Sequence, residues 1–343
     1  MTLTRRIDPR VLTPPLAHND EDDRRFYRWD YPWPDFAPGP ARPIAWSVTT
    51  LIDAGLPKYL GPHYAKMTAD LALEAIAGHG RKQAKTLLPA LAKLGKAWVL
   101  DKKAKGELTS IKPEKLTERD FAYRWLSGAA PRYRDLRADQ GSAIHSEAED
   151  LILARIGELI AQGETDDDGR LELGPLPEYN SDIASRMQAF HTWCNKFRPR
   201  FNLTEATVFS HHGYAGTLDA GIEIYVVGPG ETEPRWWSVC VDWKSGRAVY
   251  PDVALQLSAY TRADFVGLPD GRAFPLPAFE ASAVLHLTPE GPMFRWVDTC
   301  DDVYTVFLNA CEVGRFRLPS PEYERGMAAT VIGAEIQPGR EMG

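Results

Sequence analysis

Apolar residues in the middle of the chain recur at the spacing of a helix. Ile144, Ala148 and Ile152 stand four residues apart, within a stretch that predicts a long amphipathic helix over residues 139–163. The same spacing predicts a second helix over residues 181–197. The two helices precede a region of a different pattern.

After residue 200, short apolar and alternating runs bounded by turn residues become frequent. The predicted elements there are three strands, a helix, two strands and a closing helix, at 203–210, 217–227, 236–243, 252–266, 280–287, 293–297 and 301–315. The order of helix, three strands, helix and strand predicts an α/β core in which helices pack on a mixed sheet.

The chain before this core is rich in proline and then helical. The first 45 residues hold eight prolines, which predicts an extended arm. Ser47 can cap a short helix that ends before Pro57. Three further helices are predicted, over residues 61–78, 81–100 and 117–126. We therefore predict four segments, an arm, an α-helical lobe, the α/β core and a tail, at 1–45, 46–138, 139–317 and 318–343.

The net charge of −7 hides an uneven distribution. Residues 81–140 hold fifteen Lys or Arg against seven Asp or Glu, so this stretch carries +8 and the rest of the chain −15. A basic region beside an acidic one suits a protein that approaches phosphates with cations and binds metal with carboxylates. A solvated helical face gives the same pattern, so charge alone leaves both interpretations open.

Hydropathy and cysteine spacing bear on the cellular location of the protein and on the state of its thiols. No run of eighteen apolar residues occurs and no apolar signal segment follows the start, so we expect a cytoplasmic protein without membrane contact. The four cysteines contain no Cys-x-x-Cys pair. This predicts buried thiols rather than a zinc ribbon or a disulfide framework.

Two predicted strands each carry a carboxylate. One begins Gly-Thr-Leu-Asp219 and the other ends Val-Asp242-Trp243-Lys244. Strand alternation puts Asp242 and Lys244 on one face and Trp243 on the opposite, apolar face. Two carboxylates and an ammonium group at one point of a sheet suit phosphodiester hydrolysis, in which a divalent ion with oxygen ligands polarises the phosphate.

These residues form a candidate metal site for Mg²⁺ or Mn²⁺. We expect Asp219 and Asp242 to bind the ion, with the Trp243 main-chain carbonyl as a third ligand, and Lys244 to position or deprotonate the attacking water. The apolar run 238–241 ends in this charged pair, where a carboxylate is costly unless it is liganded or paired. An ion pair between Lys244 and one of the carboxylates, without catalysis, is the alternative.

Three short motifs together resemble the PD-(D/E)XK nuclease superfamily. They begin at the Gly before Asp219, at Asp242 and at Gln256, and their sequences are Gly-Thr-Leu-Asp, Asp-Trp-Lys-Ser-Gly and Gln-Leu-Ser-Ala-Tyr. The resemblance covers about residues 141–265. It implies a restriction-endonuclease-like core, a mixed central sheet flanked by helices, here preceded by the α-helical lobe.

Two further matches point to one branch of that superfamily. The helix motif Gly-x-x-x-His145-x-x-x-Glu149 and the motif Gln256-x-x-x-Tyr260 are similar to those of the RecB-type nuclease domain and its CRISPR-associated and bacteriophage exonuclease relatives. The resemblance implies that His145 ligates metal and that Glu149 orders metal-bound water. It implies that Gln256 and Tyr260 hold the catalytic strand and the DNA near the metal.

Four other positions are weaker candidates. Glu205 matches an acidic position that often precedes the metal-binding strand of the family, and Ser245 either contacts phosphate or caps a turn. Arg132 and Arg134, in the basic lobe, are candidate contacts to the substrate.

The chain departs from the family in two respects. Several relatives carry four cysteines for an iron–sulfur cluster, whereas here Cys300 and Cys311 stand alone after the core, so we predict no cluster. A Gly-x-x-x-x-Gly-Lys phosphate loop is also missing, so we expect no helicase motor in this chain. A separate helicase or recombination protein is the partner to expect.

The resemblance and the residues lead to one expected function and two alternatives. We expect a metal-dependent DNA exonuclease that acts on a single strand or a DNA end in phage-type recombination, repair or replication, in the host cytoplasm if phage-encoded. The alternatives are a structure-selective or sequence-specific endonuclease and a catalytically silent DNA-binding subunit. Activity on closed circular DNA separates the first alternative from an exonuclease.

Overall fold

The computed structural model describes residues 16–20, 24–39, 45–56, 84–106, 108, 110–161, 170–228 and 230–319. The chain divides into two compact units. One comprises Met1–Pro57 with Gly141–Gly343, and the other comprises Lys58–Gln140.

The described residues form three short strands, then a series of helices, and then a region in which strands and helices are mixed. The helices are α1 (Val48–Gly55), α2 (Ala84–Ala104), α3 (Glu118–Ser127), α4 (Ala129–Ala161), α5 (Ser181–Phe197), α6 (Asp252–Thr261) and α7 (Asp301–Arg317). The strands are β1 (Ala17–Asn19), β2 (Arg25–Tyr27), β3 (Ala45–Ser47), β4 (Arg200–Ser210), β5 (Tyr214–Val226), β6 (Arg235–Lys244), β7 (Phe265–Gly267), β8 (Ala273–Pro275), β9 (Ala281–Thr288) and β10 (Gly291–Val297).

The strands form one mixed, curled sheet. β4, β5 and β6 make an antiparallel meander, β6 pairs in parallel with β9, and β9 pairs antiparallel with β10. The first residues of β5, Tyr214 and Ala215, pair in parallel with β3, which continues to β2 and β1. β7 and β8 extend the other edge beyond β4. Helices flank the sheet, so the protein is an α/β protein.

Strand alternation in β6 divides the core into two layers. Val241 and Trp243 face the layer that contains α5, where the Trp243 ring lies 5.8 Å from Trp193 and 5.5 Å from Phe190 between centroids. Cys240 faces the opposite layer, which contains α1, α6 and α7. The prediction that Trp243 points into apolar packing, away from Asp242, is therefore confirmed.

Many of the predicted elements are present with bounds close to those expected. The helix predicted over 181–197 is α5, the three central strands are β4 to β6, and the last two strands and the closing helix are β9, β10 and α7. Ser47 caps α1, since its Oγ accepts a hydrogen bond from the Thr50 N–H at 3.0 Å. These elements have strong local signals, which explains the agreement.

Two expectations about element bounds were wrong. The helix predicted over 252–266 ends at Thr261, because Phe265 and Val266 pair with β4 as β7. Pairing across the sheet overrides local propensity there. The long helix begins at Ala129 rather than at residue 139, with Pro131 in its first turn, where proline is tolerated. Within the extended arm predicted over 1–45, the described residues form β1 and β2 and reach the start of β3, all of which belong to the sheet.

Some predicted segments lie outside the described residues. They are the helix at 61–78 and the tail beyond residue 319.

The composition also led to expectations about the burial of the cysteines and about membrane-spanning helices. Three cysteines are buried as expected, whereas Cys300 is exposed. In the part of the chain that the structure describes, no helix combines the length and the apolar content needed to cross a bilayer.

The unit Lys58–Gln140 contains a close contact between two helices. Val99 of α2 and Phe121 of α3 are both buried in one apolar cluster. A side chain on Gly95 would place its Cβ 2.0 Å from the Phe121 carbonyl oxygen, so only glycine allows this approach. Thr117 begins α3 with a capping box shared with Asp120.

Two glycines inside helices predict opposite effects of the same substitution. Gly157→Ala in α4 is expected to stabilise the protein by roughly 0.5–1 kcal/mol, because a Cβ there meets no atom within 4 Å and alanine favours helix. Gly95→Ala is expected to destabilise its unit by about 1–3 kcal/mol through the clash with Phe121. Urea unfolding of both variants measures the difference, and equal effects would contradict the contact geometry.

Candidate metal centre

β5 and β6 bring two carboxylates together where their pairing ends. The last residues paired are Ala220 and Val241, so Asp219 and Asp242, the next residues along, lie opposite each other. Asp219 is 7% and Asp242 1% exposed. The Asp219 Oδ2 accepts a hydrogen bond from the Trp243 backbone N–H at 2.6 Å. The carboxylate therefore links β5 to the end of β6.

Glu205 reaches the same place from β4. The pairs Thr204–Ala220 and Ala206–Leu218 put Glu205 opposite Asp219, at a position that does not itself pair. The φ angle of Glu205 is 41°, a left-handed conformation that costs a non-glycine residue on the order of 1–3 kcal/mol. Backbone strain of this kind concentrates at functional sites.

His145 of α4 completes a cluster with these residues. Its Nδ1 lies 3.3 Å from Glu205 Oε1 and 3.6 Å from Asp219 Oδ1. The neighbours Ile144 and Ala148 are buried in the core and thereby set the face of the helix that His145 occupies. One ligand atom from each of His145, Glu205 and Asp219 lies within 4.8 Å of the others, a grouping able to hold one metal ion.

Lys244 stands on the other side of Asp242, in a chain of hydrogen bonds that leads to α6. Its Nζ is 2.8 Å from Asp242 Oδ1 and 2.7 Å from Oδ2. Nζ also donates to Gln256 Oε1 at 3.3 Å, and Gln256 Nε2 donates to the Tyr260 hydroxyl at 3.2 Å. Gln256 and Tyr260 thus hold the ammonium group of Lys244 in a fixed direction.

Gly216 makes room for Tyr260 beside the site. A Cβ at Gly216 would lie 2.5 Å from Cε1 of the Tyr260 ring. Any larger residue would push the ring away and break its bond with Gln256. The Gly of the Gly-Thr-Leu-Asp motif therefore has a packing reason as well as a place in the motif.

Burial and charge shift the pKa of several groups in the cluster. Burial raises the pKa of Asp242 to about 6 against the opposing effect of Lys244, and it raises the pKa of Asp219 against the effect of His145. Burial alone would lower the pKa of His145, but the carboxylates of Asp219 and Glu205 raise it to about 9. Buried carboxylates at this spacing are stabilised in their charged form by a cation among them.

Glu149 lies one turn after His145 and is half-buried. Burial and then the charge of Glu205 raise its pKa to about 7. Its Oε1 is buried and has no hydrogen-bond partner among the described residues. An unpaired buried oxygen of this kind indicates that a water or an ion belongs there.

The cluster opens into a cleft of about 480 Å³. The predicted site residues that line this cleft are His145, Glu149, Asp219, Asp242, Lys244, Gln256 and Tyr260, together with Glu205. The structure therefore brings together residues from five elements, α4, β4, β5, β6 and α6, separated by up to 115 positions in the sequence.

Other predicted positions stand apart from this group. Ser245 is half-buried next to the site, and its carbonyl accepts a hydrogen bond from Arg186 Nε at 3.0 Å. The Trp243 amide points to Asp219, while the role of its carbonyl as a metal ligand stays a prediction. Arg132 and Arg134 belong to α4, but their side chains lie outside the described part of the chain.

The cleft also contains residues that sequence patterns did not indicate. Arg25 and Tyr27 of β2, and Ser47 and Thr49 around the start of α1, line it from the N-terminal strands. More than 160 residues separate them from Asp219 in the sequence. The pairing of β3 with β5 brings them close, and short strands in a proline-rich segment give no signal of such a contact.

The donor atoms fit a hard divalent cation. Three carboxylates and one imidazole match the ligand preference of Mg²⁺ or Mn²⁺, with oxygen ligands dominant. The Asp242 Oδ2 supports this fit, because it is buried without a hydrogen bond of acceptable geometry in the described residues, although Lys244 Nζ is near. No family model matches this chain, and the search of curated proteins found no match to its sequence.

Metal binding is expected to stabilise the folded protein. At a Mn²⁺ concentration about 100 times the Kd, the gain is about 2.7 kcal/mol, seen as a rise in the melting temperature. Asp219→Asn should remove this rise, because it replaces a ligand oxygen of the cluster. Asp270→Asn, which alters a surface ion pair with Arg272, is the matched control and should keep it. A rise that persists in Asp219→Asn would place the ion elsewhere.

Proposed function

We propose that this chain is a divalent-metal-dependent deoxyribonuclease that hydrolyses phosphodiester bonds as an exonuclease. The observation that carries the proposal is the convergence of the His145–Glu205–Asp219 cluster with Asp242 and Lys244 in one cleft. A structural ion pair alone would explain the contact between Lys244 and Asp242. It would not explain why two further acids and a histidine are gathered beside that pair at the expense of backbone strain.

The topology supports a restriction-endonuclease-like core of the PD-(D/E)XK type. Helix α5, the meander β4–β6, helix α6 and strand β9 follow one another in the order that the resemblance implies. β9 pairs in parallel with β6, the strand that ends in Asp242 and Lys244. A core of this type also requires a mixed sheet flanked by helices, which this protein has.

His145, Glu205, Asp219 and Asp242 would hold the ion in this site. When bound, Mg²⁺ or Mn²⁺ supplies positive charge that polarises a phosphodiester and eases deprotonation of water. The carboxylates would hold the ion near the end of β6. The imidazole of His145 must be neutral to serve as a ligand.

The other residues orient the reactants. Lys244, directed by Gln256 and Tyr260, donates hydrogen bonds towards the negative charge that builds on the phosphate oxygens. Glu149, with a pKa near neutrality and a free buried oxygen in the described structure, accepts a hydrogen bond from the attacking water. The water oxygen forms the new bond to phosphorus and gives its proton to Glu149, the bond between phosphorus and the leaving sugar oxygen breaks, and that oxygen takes a proton from solvent.

The expected substrate is a DNA strand with a free end. The excess of +8 over residues 81–140 offers cations for the phosphate backbone, while the cleft itself is acidic. A role in phage-type recombination, repair or replication, with a separate helicase or recombination protein as partner, is part of the proposal.

An assay with four DNA substrates tests the proposal. End-labelled linear and closed circular DNA, each single- and double-stranded, are incubated with Mg²⁺ or Mn²⁺, with EDTA, and with the Asp242→Ala variant. We expect progressive shortening of linear substrates that stops in EDTA and in the variant, with circular DNA left intact.

The other outcomes point to the alternatives. Nicking or linearisation of circular DNA would make the protein an endonuclease. DNA binding without any metal-dependent product would make it a silent binding subunit. Equal activity of wild type and Asp242→Ala would overturn the proposed site.

A further inference from the structure

We propose that the N-terminal strands β1 to β3 form the substrate-binding wall of the metal cleft, and that Arg25 binds a backbone phosphate of the DNA strand. This inference rests on the proposed nuclease function and assigns a role to a segment that the nuclease motifs do not include. The ligand is a phosphodiester within the strand.

The strands of this wall belong to the same sheet as the strands that carry the metal cluster. Trp46 and Ser47 of β3 pair in parallel with Tyr214 and Ala215, immediately before the motif that ends in Asp219. Tyr27 is 1% exposed, and its hydroxyl lies 2.9 Å from Thr217 Oγ1. The side chain that anchors β2 is therefore bonded to the strand that carries a metal-binding carboxylate.

Arg25 adds to the cleft a cation that, among the described residues, no carboxylate pairs with. The acids lining the cleft are Glu149, Glu205, Asp219 and Asp242. Lys244 is engaged with Asp242, and His145 with Glu205 and Asp219. Arg25 is exposed, lines the same cleft, and makes no ion pair with a carboxylate in the described part of the chain. Its charge is thus available to an anion that enters.

The chemistry of this wall suits a phosphate oxygen. A guanidinium group donates two parallel hydrogen bonds to a phosphate, which fixes direction as well as adding charge. Thr49, also exposed in the cleft, adds a hydroxyl that lies 3.0 Å from Ser47 Oγ. A strand held on this wall has its next phosphates directed towards the acidic side, where the metal cluster is.

The backbone of Arg25 is held by the neighbouring strand and by α1, while its side chain contacts the Tyr27 hydroxyl, which also bonds to Thr217. Arg25 pairs with Asn19 of β1, and its carbonyl accepts a hydrogen bond from Thr50 Oγ1 at 3.1 Å. Truncating the exposed side chain should therefore leave the strands in place. The melting temperature of Arg25→Ala should stay within about 2 °C of wild type.

The experiment compares Arg25→Ala, Arg25→Lys and the control Arg28→Ala. Arg28 is on the same segment, has a side chain 58% exposed, pairs with Asp30 and does not line the cleft. Binding of a single-stranded oligonucleotide is measured between 50 and 200 mM salt with Ca²⁺ in place of Mg²⁺, and the samples are checked for product. Cleavage rates are measured separately in Mg²⁺.

We expect Arg25→Ala to raise the Kd and the KM for DNA about tenfold and to change kcat less than about threefold. The slope of log affinity against log salt should fall by about 0.7, the value for one lost phosphate contact on a single strand. Arg25→Lys should recover part of the affinity, because it keeps the charge but not the bidentate geometry. Arg28→Ala should behave as wild type.

Failure of this inference is distinct from failure of the nuclease function. If wild type cuts DNA and Arg25→Ala matches Arg28→Ala in Kd and salt slope, the phosphate contact is wrong and the nuclease stands. If wild type never cuts but Arg25→Ala alone loses DNA affinity, the contact stands without the chemistry. A loss limited to oligonucleotides with a terminal phosphate, absent on circular single strands, would overturn the assignment to a backbone phosphate.

Discussion

Lys244→Met is expected to lower the kcat for DNA hydrolysis by about a thousandfold. The ammonium group is held by Asp242 at 2.7 Å and by Gln256 at 3.3 Å, so it points at one place in the cleft. Methionine keeps the length of the side chain and removes its charge and hydrogen-bond donors. In the proposed mechanism, the reaction then loses the cation that stabilises the phosphate in the transition state.

A measurement of metal binding distinguishes a loss of catalysis in Lys244→Met from a loss of the metal site itself. Lys244 pairs with Asp242, a proposed metal ligand, so Lys244→Met should bind Mn²⁺ at pH 8 at least as tightly as wild type. Calorimetry and single-turnover cleavage on the same preparation measure the two quantities. Lys196→Met, which removes an exposed lysine from α5, is the control and should leave both unchanged. A variant that loses metal and activity together would show that Lys244 is structural.

Trp193→Ala is expected to destabilise the unit that carries the cleft by about 3–5 kcal/mol. The Trp193 side chain is fully buried in α5, and its ring contacts Phe190, Trp243 and Phe294 at centroid distances of 6.1, 5.8 and 5.3 Å. Its removal leaves a cavity next to the strand that carries Asp242. Activity should therefore fall with stability, because Trp243 loses the ring that holds it.

Two other tryptophan variants make this prediction sharper. Trp193→Phe should cost less than Trp193→Ala, because it keeps most of the ring volume and removes an Nε1 that is buried without a hydrogen-bond partner in the described structure. Trp236→Ala removes a half-buried ring stacked on Arg200 at 3.8 Å and should cost only about 1 kcal/mol. Urea unfolding ranks the three. Equal losses would contradict the burial pattern.

Local periodicity predicted the parts of the fold that depend on neighbours in the sequence. Helix α5 has the predicted bounds, and the alternation in β6 placed Trp243 and Asp242 on opposite faces. These features follow from residues within one turn or two residues of each other. The strand β7 was predicted as part of a helix, because its preference is decided by Val208 and Phe209 of β4, more than 50 residues earlier.

The candidate site was only partly visible in the sequence. The motifs around Asp219, Asp242 and Gln256 have recognisable spacing, and the structure gathers them in one cleft. Glu205 was a weak candidate, because its place beside His145 depends on the register of β4 against β5 and on an unusual φ angle. Neither has a signature in residue types.

By itself, the sequence indicated most of the candidate site residues and the faces of the helices and strands that those residues occupy. The tertiary structure decided which of them meet, and it added Arg25 and Thr49 to the cleft through the pairing of β3 with β5. The reason is that side-chain direction follows from the local repeat of a helix or strand. The partner of an edge strand is chosen by contacts between segments far apart in the chain, which no local pattern encodes.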